Sequence, residues 1–107
     1  PVSLNPGFES TGLDIRFLGY HPGIADTEVW YKAINSGSGV SFDTALWTKA
    51  NLTKVYQGDI IDDLSYKEYH YNVPSIPTFN QYAVKLVFSG DGIHFPQDKD
   101  LRVVAYE

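Results

Sequence analysis

The sequence predicts an all-β domain, an antiparallel β-sandwich of the jelly-roll or immunoglobulin-like type with about seven short strands. Apolar and polar residues alternate with a period of two in several short runs, which is the pattern of strands with one buried face. Turn-forming residues separate these runs, and no stretch of ten residues follows the helical period. Aromatic residues, which favour strands, make up 15% of the chain.

The first half of the chain predicts two strands and a loop. Residues 13–17 alternate apolar and charged side chains, so the apolar ones are expected to face a core. Residues 28–34 carry bulky side chains on both faces, which indicates a central strand. Residues 35–39, Asn-Ser-Gly-Ser-Gly, predict an irregular loop. Asp43 is then expected to cap a single helical turn that reaches Trp47.

The second half predicts the remaining long strands, at residues 54–57, 66–73, 81–89 and 101–106. The clearest of these strands places alternate apolar side chains towards the core: Tyr82, Val84, Leu86 and Phe88. Turn chemistry at residues 74–77 and 89–92 separates the strands. The polar residues 97–100 are expected to be a solvated approach to the last strand.

Length and composition bound the class of protein. A chain of 107 residues predicts one domain, residues 1–107, and because it has no methionine and begins at Pro1 we expect a segment of a larger polypeptide. The net charge is -5 and the basic residues are scattered, which argues against nucleic acid as a partner. The longest apolar stretch is short and contains Lys85, so no membrane span is expected. The absence of cysteine excludes disulfides and cysteine-based metal sites.

No catalytic or metal-binding pattern is visible, so the sequence predicts neither an enzyme nor a cofactor. His21, His70 and His94 lie far apart and belong to no spaced metal motif. No Gly-x-Ser-x-Gly nucleophile motif is present either. An acidic cluster, Asp59 with Asp62 and Asp63, would be the first place to look for calcium, but it lacks the ligand order of an EF-hand loop.

Aromatic side chains are the remaining candidates for binding. Trp47, Tyr66, Tyr69 and Tyr71 can stack on sugar rings if they are exposed together. The alternative is that these tyrosines face the core or a neighbouring subunit. We further expect more aromatic side chains than so small a core can bury, which would leave tyrosines for protein contacts.

The order of several segments carries a resemblance to a known group of proteins. The resemblance covers most of the chain and includes Val2–Leu4 with Phe8 and Leu13, residues 19–23, Glu28–Lys32, Phe42-Asp43 with Trp47, Tyr66–Tyr69, Phe79, Ala83–Val87, Pro96 and Lys99–Ala105. The chain resembles a domain of virion structural proteins of tailed bacteriophages, in particular baseplate or tail components of T4-like cyanophages. The departures lie at residues 24–27 and 90–92, both in expected loops.

This resemblance implies a non-catalytic structural module of a phage tail or baseplate, located in the virion. Its implied partners are other virion structural proteins or further domains of the same chain, within an oligomeric assembly. The competing hypothesis is a carbohydrate-binding β-sandwich that attaches a larger protein to a glycan surface. Exposure of Trp30, Trp47 and the tyrosines of residues 66–71 would favour the second hypothesis, and burial would oppose it.

Three charged residues within the resemblance predict a structural network. If the last two long strands pair, Lys85, Asp100 and Arg102 are expected to form a charge network that fixes their register. The alternative is three solvated surface charges, each of which contributes little to stability.

Overall fold

The alternating runs fold into eight strands in two four-stranded antiparallel sheets, packed face to face as a sandwich. The computed structural model describes residues 2–4, 8–20, 26–39, 41–61, 64–90 and 97–107, with only the backbone described at residues 56–61, 64–65 and 97. The predicted fold class is therefore confirmed. Among the described residues, no helix has the length and apolar character needed to cross a bilayer.

The first sheet has the order β1-β7-β3-β4. Its strands are β1 (Val2–Ser3), β7 (Gln81–Ser89), β3 (Asp26–Ile34) and β4 (Thr48–Lys49). β3 and β7 pair along all nine residues without a shift, from Asp26 opposite Ser89 to Ile34 opposite Gln81. Because β3 has a neighbour on each side, the prediction of an inner strand there is confirmed.

The second sheet has the order β5-β6-β2-β8. Its strands are β5 (Lys54–Ile61), β6 (Leu64–Val73), β2 (Gly12–Tyr20) and β8 (Gln97–Tyr106). On the inner face, Phe17 lies opposite Tyr69 and Ile15 opposite Tyr71. The Thr27 hydroxyl donates to an Asp98 carboxylate oxygen (2.5 Å) and so joins the two sheets.

Six of the eight described strands follow the immunoglobulin order, whereas the other two, β1 and β8, exchange places. In an immunoglobulin-type sandwich, strands D, E, B and A form one sheet, and C′, C, F and G form the other. Here β5-β6-β2 matches D-E-B and β4-β3-β7 matches C′-C-F. The position of strand A is taken by β8 and that of strand G by β1, which covers only two residues. Among the described residues, only β1 therefore pairs with the outer edge of β7, at Gln81 and Tyr82.

The core lies between the sheets and is built by the predicted alternation. Its largest side chains with no exposed surface are Phe17, Phe79, Leu13, Ile15 and Val29. Burying each such side chain stabilises the fold by roughly 1.5–3 kcal/mol. Tyr82, Val84 and Leu86 pack on this core as predicted, but Phe88 does not, since 57% of it is exposed near the end of β7.

Two other local predictions need correction. The loop at residues 35–39 contains a 3-10 turn, Ser36–Ser38, because the Asn35 side chain accepts a hydrogen bond from the Gly37 N–H (3.0 Å). The turn predicted after Asp43 is a 3-10 turn at Phe42–Thr44, with Asp43 inside it rather than at its cap. The predicted turn at residues 89–92 lies partly outside the described residues.

Candidate functional site

The four aromatic residues predicted to bind together occupy three different places. Tyr69 and Tyr71 point into the sandwich from β6, and Tyr66 lies on the opposite face of the same strand. Trp47 belongs to the segment that crosses the outer face of the first sheet. No shared aromatic surface arises from these four residues.

Tyr69 and Tyr71 are part of the core. The Phe17 ring stacks on both, with centroid distances of 5.4 and 5.9 Å. Burial, followed by the nearby Asp26 carboxylate, raises the pKa of Tyr69, and the same causes raise the pKa of Tyr71 to about 12. Phe17 therefore covers one face of each tyrosine ring.

A small cleft opens beside these tyrosines, between the edge of the first sheet and β6. It has a volume of about 220 Å³, and its lining includes Tyr69, Tyr71 and Asp26. The lining also contains the Glu28–Lys49 ion pair (3.0 Å), and the hydrogen bonds from Lys49 and Trp30 lower the pKa of Glu28. The cleft offers phenol hydroxyl and carboxylate groups to a ligand.

Trp47 belongs to a lysine–aromatic cluster on the outer face of the first sheet. The cluster consists of Trp30, Lys32, Phe42, Trp47 and Lys85. The Lys85 ammonium lies 4.5 Å from the Trp47 ring centroid and 5.9 Å from that of Trp30. Cation–π attraction of this kind contributes about 0.5–2 kcal/mol, depending on how far the cation is removed from water.

Lys32 is the buried member of the cluster, with only 8% of its surface exposed. Its ammonium group donates to the Phe42 carbonyl (2.8 Å) and lies 4.4 Å from the Phe42 ring centroid and 5.0 Å from that of Trp47. A buried ammonium needs such partners, because desolvation without them is costly. The Lys32 side chain thus fastens the segment from Phe42 to Trp47 onto β3.

The predicted network of Lys85, Asp100 and Arg102 does not form. Its premise was that the last two long strands pair, but β7 and β8 lie in different sheets. Lys85 joins the lysine–aromatic cluster instead, and Arg102 donates to a Glu68 carboxylate oxygen across the outer face of the second sheet. Sequence spacing could not reveal this, because the partner of each strand is decided by the packing of distant elements.

A larger charge network lies on that outer face and was not predicted. Asp14 binds the Arg16 guanidinium (2.9 Å) and His70 Nε2 (2.8 Å), while Glu68 lies 3.6 Å from Arg16 and also binds Arg102. Burial alone would raise the pKa of Asp14, but the hydrogen bonds and charges of Arg16 and His70 lower it. The alternation of residues 13–17 was the available signal, since it placed Asp14 and Arg16 side by side on the polar face.

Asp100 occupies an unusual backbone position and is not part of the predicted charge network. It adopts a left-handed conformation (φ 57°) in β8. At this point Asp100 and Leu101 together lie opposite the single residue Phe17, since Arg16 pairs with Arg102 and Leu18 with Lys99. This is a β-bulge, and aspartate tolerates its left-handed position better than most residues do.

Tyr66 is only 9% exposed although it lies on an outer face. The Lys99 ammonium covers its ring at 4.3 Å from the centroid, and the Tyr20 ring lies 6.4 Å away. Tyr56 aside, whose side chain is not described, no tyrosine of the chain is exposed. The expectation of exposed tyrosines is therefore wrong for the described part of the chain, where the exposed aromatic side chains are Phe8 (63%) and Phe88 (57%).

Few of the residues considered for metal binding can be placed. His70 belongs to the charge network, whereas His21, His94, Asp62 and Asp63 lie outside the described residues. The side chain of Asp59 is not described either. Among the side chains that are described, no group of three or more potential metal ligands occurs.

An apolar hollow that the sequence did not predict lies at one end of the sandwich. It has a volume of about 420 Å³ and is lined largely by Ala33, Ile34, Ala45, Leu46 and Pro77. Leu46, on its rim, is 87% exposed, the highest fraction among the large apolar side chains described. The only sequence signal was the apolar pair Ala45-Leu46 inside a predicted turn, where polar residues are usual.

This geometry places an apolar hollow, a small polar cleft and two tightly engaged charged surfaces on one sandwich. Comparison with known proteins finds no protein family, curated protein or solved structure that matches the chain.

Proposed function

We propose that the domain is a non-catalytic structural module of a phage tail or baseplate, which acts through contacts with other virion proteins. The segments that resemble virion structural proteins support this proposal, and the sandwich fold is compatible with it and with the carbohydrate-binding alternative alike. The single observation that carries it is the apolar hollow with Leu46 on its rim.

An exposed leucine beside an apolar concavity is suited to a protein partner. Fully burying a leucine side chain contributes roughly 1.5–3 kcal/mol, and 87% of Leu46 is available for burial. The nearby Asn35 and Ser38 supply polar groups at the margin, as the rim of a protein interface does. The partner proposed for the hollow is an apolar side chain of a neighbouring virion protein.

The carbohydrate-binding alternative loses its main support. Sugar recognition by stacking requires an aromatic face open to solvent. Trp47 is covered by two lysine ammonium groups, Tyr66 by Lys99, and Tyr71 by Phe17. Among the described residues, the small cleft beside Tyr69 is the remaining candidate site for a glycan, and its hydroxyl and carboxylate groups are suited to hydrogen bonds.

The test uses two leucines that differ in position. Leu46→Ser removes the apolar rim of the hollow, whereas Leu52→Ser changes an exposed leucine (47%) beside the cleft. Both variants are expected to keep the melting temperature of the parent chain, because neither side chain is buried. Leu46→Ser should impair assembly of tail or baseplate particles, and Leu52→Ser should not. Normal assembly with Leu46→Ser, together with glycan binding by the parent chain that is lost in the cleft variant Asp26→Asn, would favour the carbohydrate-binding module instead.

A further inference from the structure

One edge of the first sheet is largely unpaired. β7 pairs with β3 along its whole length, but on its other side it pairs with β1 only at Gln81 and Tyr82. Within the part of the chain that the structure describes, no strand pairs with residues 83–89 on that side. A row of unpaired main-chain N–H and C=O groups is a template for another strand.

Hydrogen bonds at the start of β7 show which main-chain N–H and C=O groups face this edge. The Leu4 N–H donates to the Asn80 carbonyl (2.9 Å), and Val2 lies opposite Tyr82. In an antiparallel ladder, opposed residues alternate between pairs that exchange hydrogen bonds and pairs that do not. Because Leu4 and Asn80 lie two residues from Val2 and Tyr82, the latter form a bonded pair, and Tyr82 directs its N–H and C=O towards β1.

The orientation repeats every second residue along a strand. Val84, Leu86 and Phe88 therefore direct their N–H and C=O groups to the free edge. Lys85 and Val87 direct theirs to β3. The three residues with free main-chain groups are also those whose side chains lie on the core side of the sheet, where Val84 and Leu86 are half-buried and Phe88 is 57% exposed.

The other long outer strands are less suited to pairing. β8 contains the bulge at Asp100, and β5 has a register shift between Gln57 and Ile60. Bulges in outer strands are a common means of preventing association between sheet edges. β1 and β4 are each two residues long. β7 combines length with a regular ladder.

We infer that the free edge of β7 pairs antiparallel with the same edge of a second copy of this chain, about a two-fold axis at Leu86. Leu86 is the midpoint of the unpaired residues 83–89, so this register uses the whole span. Leu86 would exchange two main-chain hydrogen bonds with its copy, and Val84 would do so with Phe88 of the second copy. The two first sheets would then form one continuous sheet, which is a self-complementary two-fold interface.

The side chains favour a second copy of this chain as the partner, and they favour this register. On the core side, the exposed Phe88 would cover Val84 of the second copy, so both copies bury apolar surface. On the outer face, Lys85 would lie opposite Val87, which is 38% exposed, and no like charges would oppose each other. Moving the axis to residue 85 would place two lysines opposite each other, and moving it to residue 84 would run into β1.

The first experiment measures self-association of the 107-residue chain by sedimentation equilibrium. Two paired edges form a small interface, so we expect a weak dimer, with a mass rising towards twice 12.0 kDa between about 10 µM and 1 mM. Val87→Glu places a carboxylate opposite Lys85 of the second copy and should strengthen the dimer roughly 2- to 30-fold; Val87→Lys should weaken it by a similar factor. The same two substitutions at Val104, exposed on the outer face of the other sheet, are the matched control and should change nothing.

A second measurement locates the contact without any substitution. Amide hydrogen exchange at Leu86 and Phe88 should become slower as the concentration rises, while exchange at Lys85 and Val87, already bonded to β3, should not change. A chain that stays monomeric at about 1 mM, or a dimer on which the two Val87 variants act alike, would overturn the inference. The proposed function does not depend on this result, because its test concerns Leu46 and particle assembly.

Discussion

Tyr71 shows how the sandwich changes the chemistry of a single side chain. Burial is the main cause that raises its pKa to about 12, with the Asp26 carboxylate second. Because the folded-state pKa exceeds the ordinary value of 10, the folded state holds the phenol proton more tightly than the unfolded chain does. The resulting stability is fully present below pH 10 and is lost as the pH rises from 10 through 12.

Tyr71→Phe is therefore expected to have a pH-dependent effect. At pH 7 it should change the free energy of unfolding little, since the hydroxyl makes one long hydrogen bond to the Thr27 carbonyl (3.5 Å). Above pH 10 the variant should lose less stability than the parent chain, by on the order of 1 kcal/mol once solvent screening is allowed for. Urea unfolding at pH 7 and pH 11 checks this, and absorbance at 295 nm should show the last phenol ionisation missing from the variant. Equal alkaline loss in both proteins would contradict it.

The residue pattern predicted well which side chains are buried. It predicted less well which side chains are in contact with each other. Alternation placed Leu13, Ile15 and Phe17 in the core correctly. It could not show that Phe17 would stack on Tyr69 and Tyr71 and so remove them from the surface, because that depends on which strand becomes the neighbour of β2. Side-chain partners across a sheet follow from register, and register is a long-range property.

Among the elements, β8 depends on an unusual backbone position. Asp100 adopts φ 57° at the bulge opposite Phe17. Glycine occupies this conformation without steric cost, whereas a β-branched residue clashes there.

Substitutions at Asp100 should separate backbone conformation from charge. Asp100→Gly is expected to leave the free energy of unfolding unchanged or to raise it by a few tenths of a kcal/mol, and Asp100→Val to lower it by about 1–3 kcal/mol. Asp100→Asn is the control, because asparagine has a similar shape and also tolerates the left-handed conformation but carries no charge. Its free energy of unfolding should equal that of the parent chain. Denaturant unfolding of the three variants decides: a loss with Asn equal to that with Val would point to the charge.

Element boundaries were predictable where the pattern was long and regular. β7 was predicted at its exact bounds, residues 81–89, because it alternates without interruption. β1 and β4 were missed, since a two-residue strand has no period to detect. β8 begins at Gln97, earlier than predicted, because an outer strand facing water on one side can consist of polar residues.

At the scale of the whole molecule, the topology predicts slow folding. β2 pairs with β6 and β8, both far along the chain, and β3 pairs with the distant β7. Proteins dominated by such non-local pairing fold in milliseconds to seconds, because long loops must close before their contacts form. Stopped-flow refolding followed by tryptophan fluorescence should show this timescale. Trp30→Phe leaves Trp47 as the reporter of the first sheet, and refolding within microseconds would contradict the prediction.

Because Lys32 is buried, chemical labelling of its amine measures local opening of the structure. Its amine lies beneath Phe42 and Trp47, so an acylating reagent can reach it only when that segment lifts from β3. The rate of acylation at Lys32, relative to that at an exposed lysine such as Lys49, therefore measures how often this segment opens. Leu46 belongs to the same segment and forms the rim of the hollow, so a partner seated in the hollow would slow the labelling of an amine that it never touches.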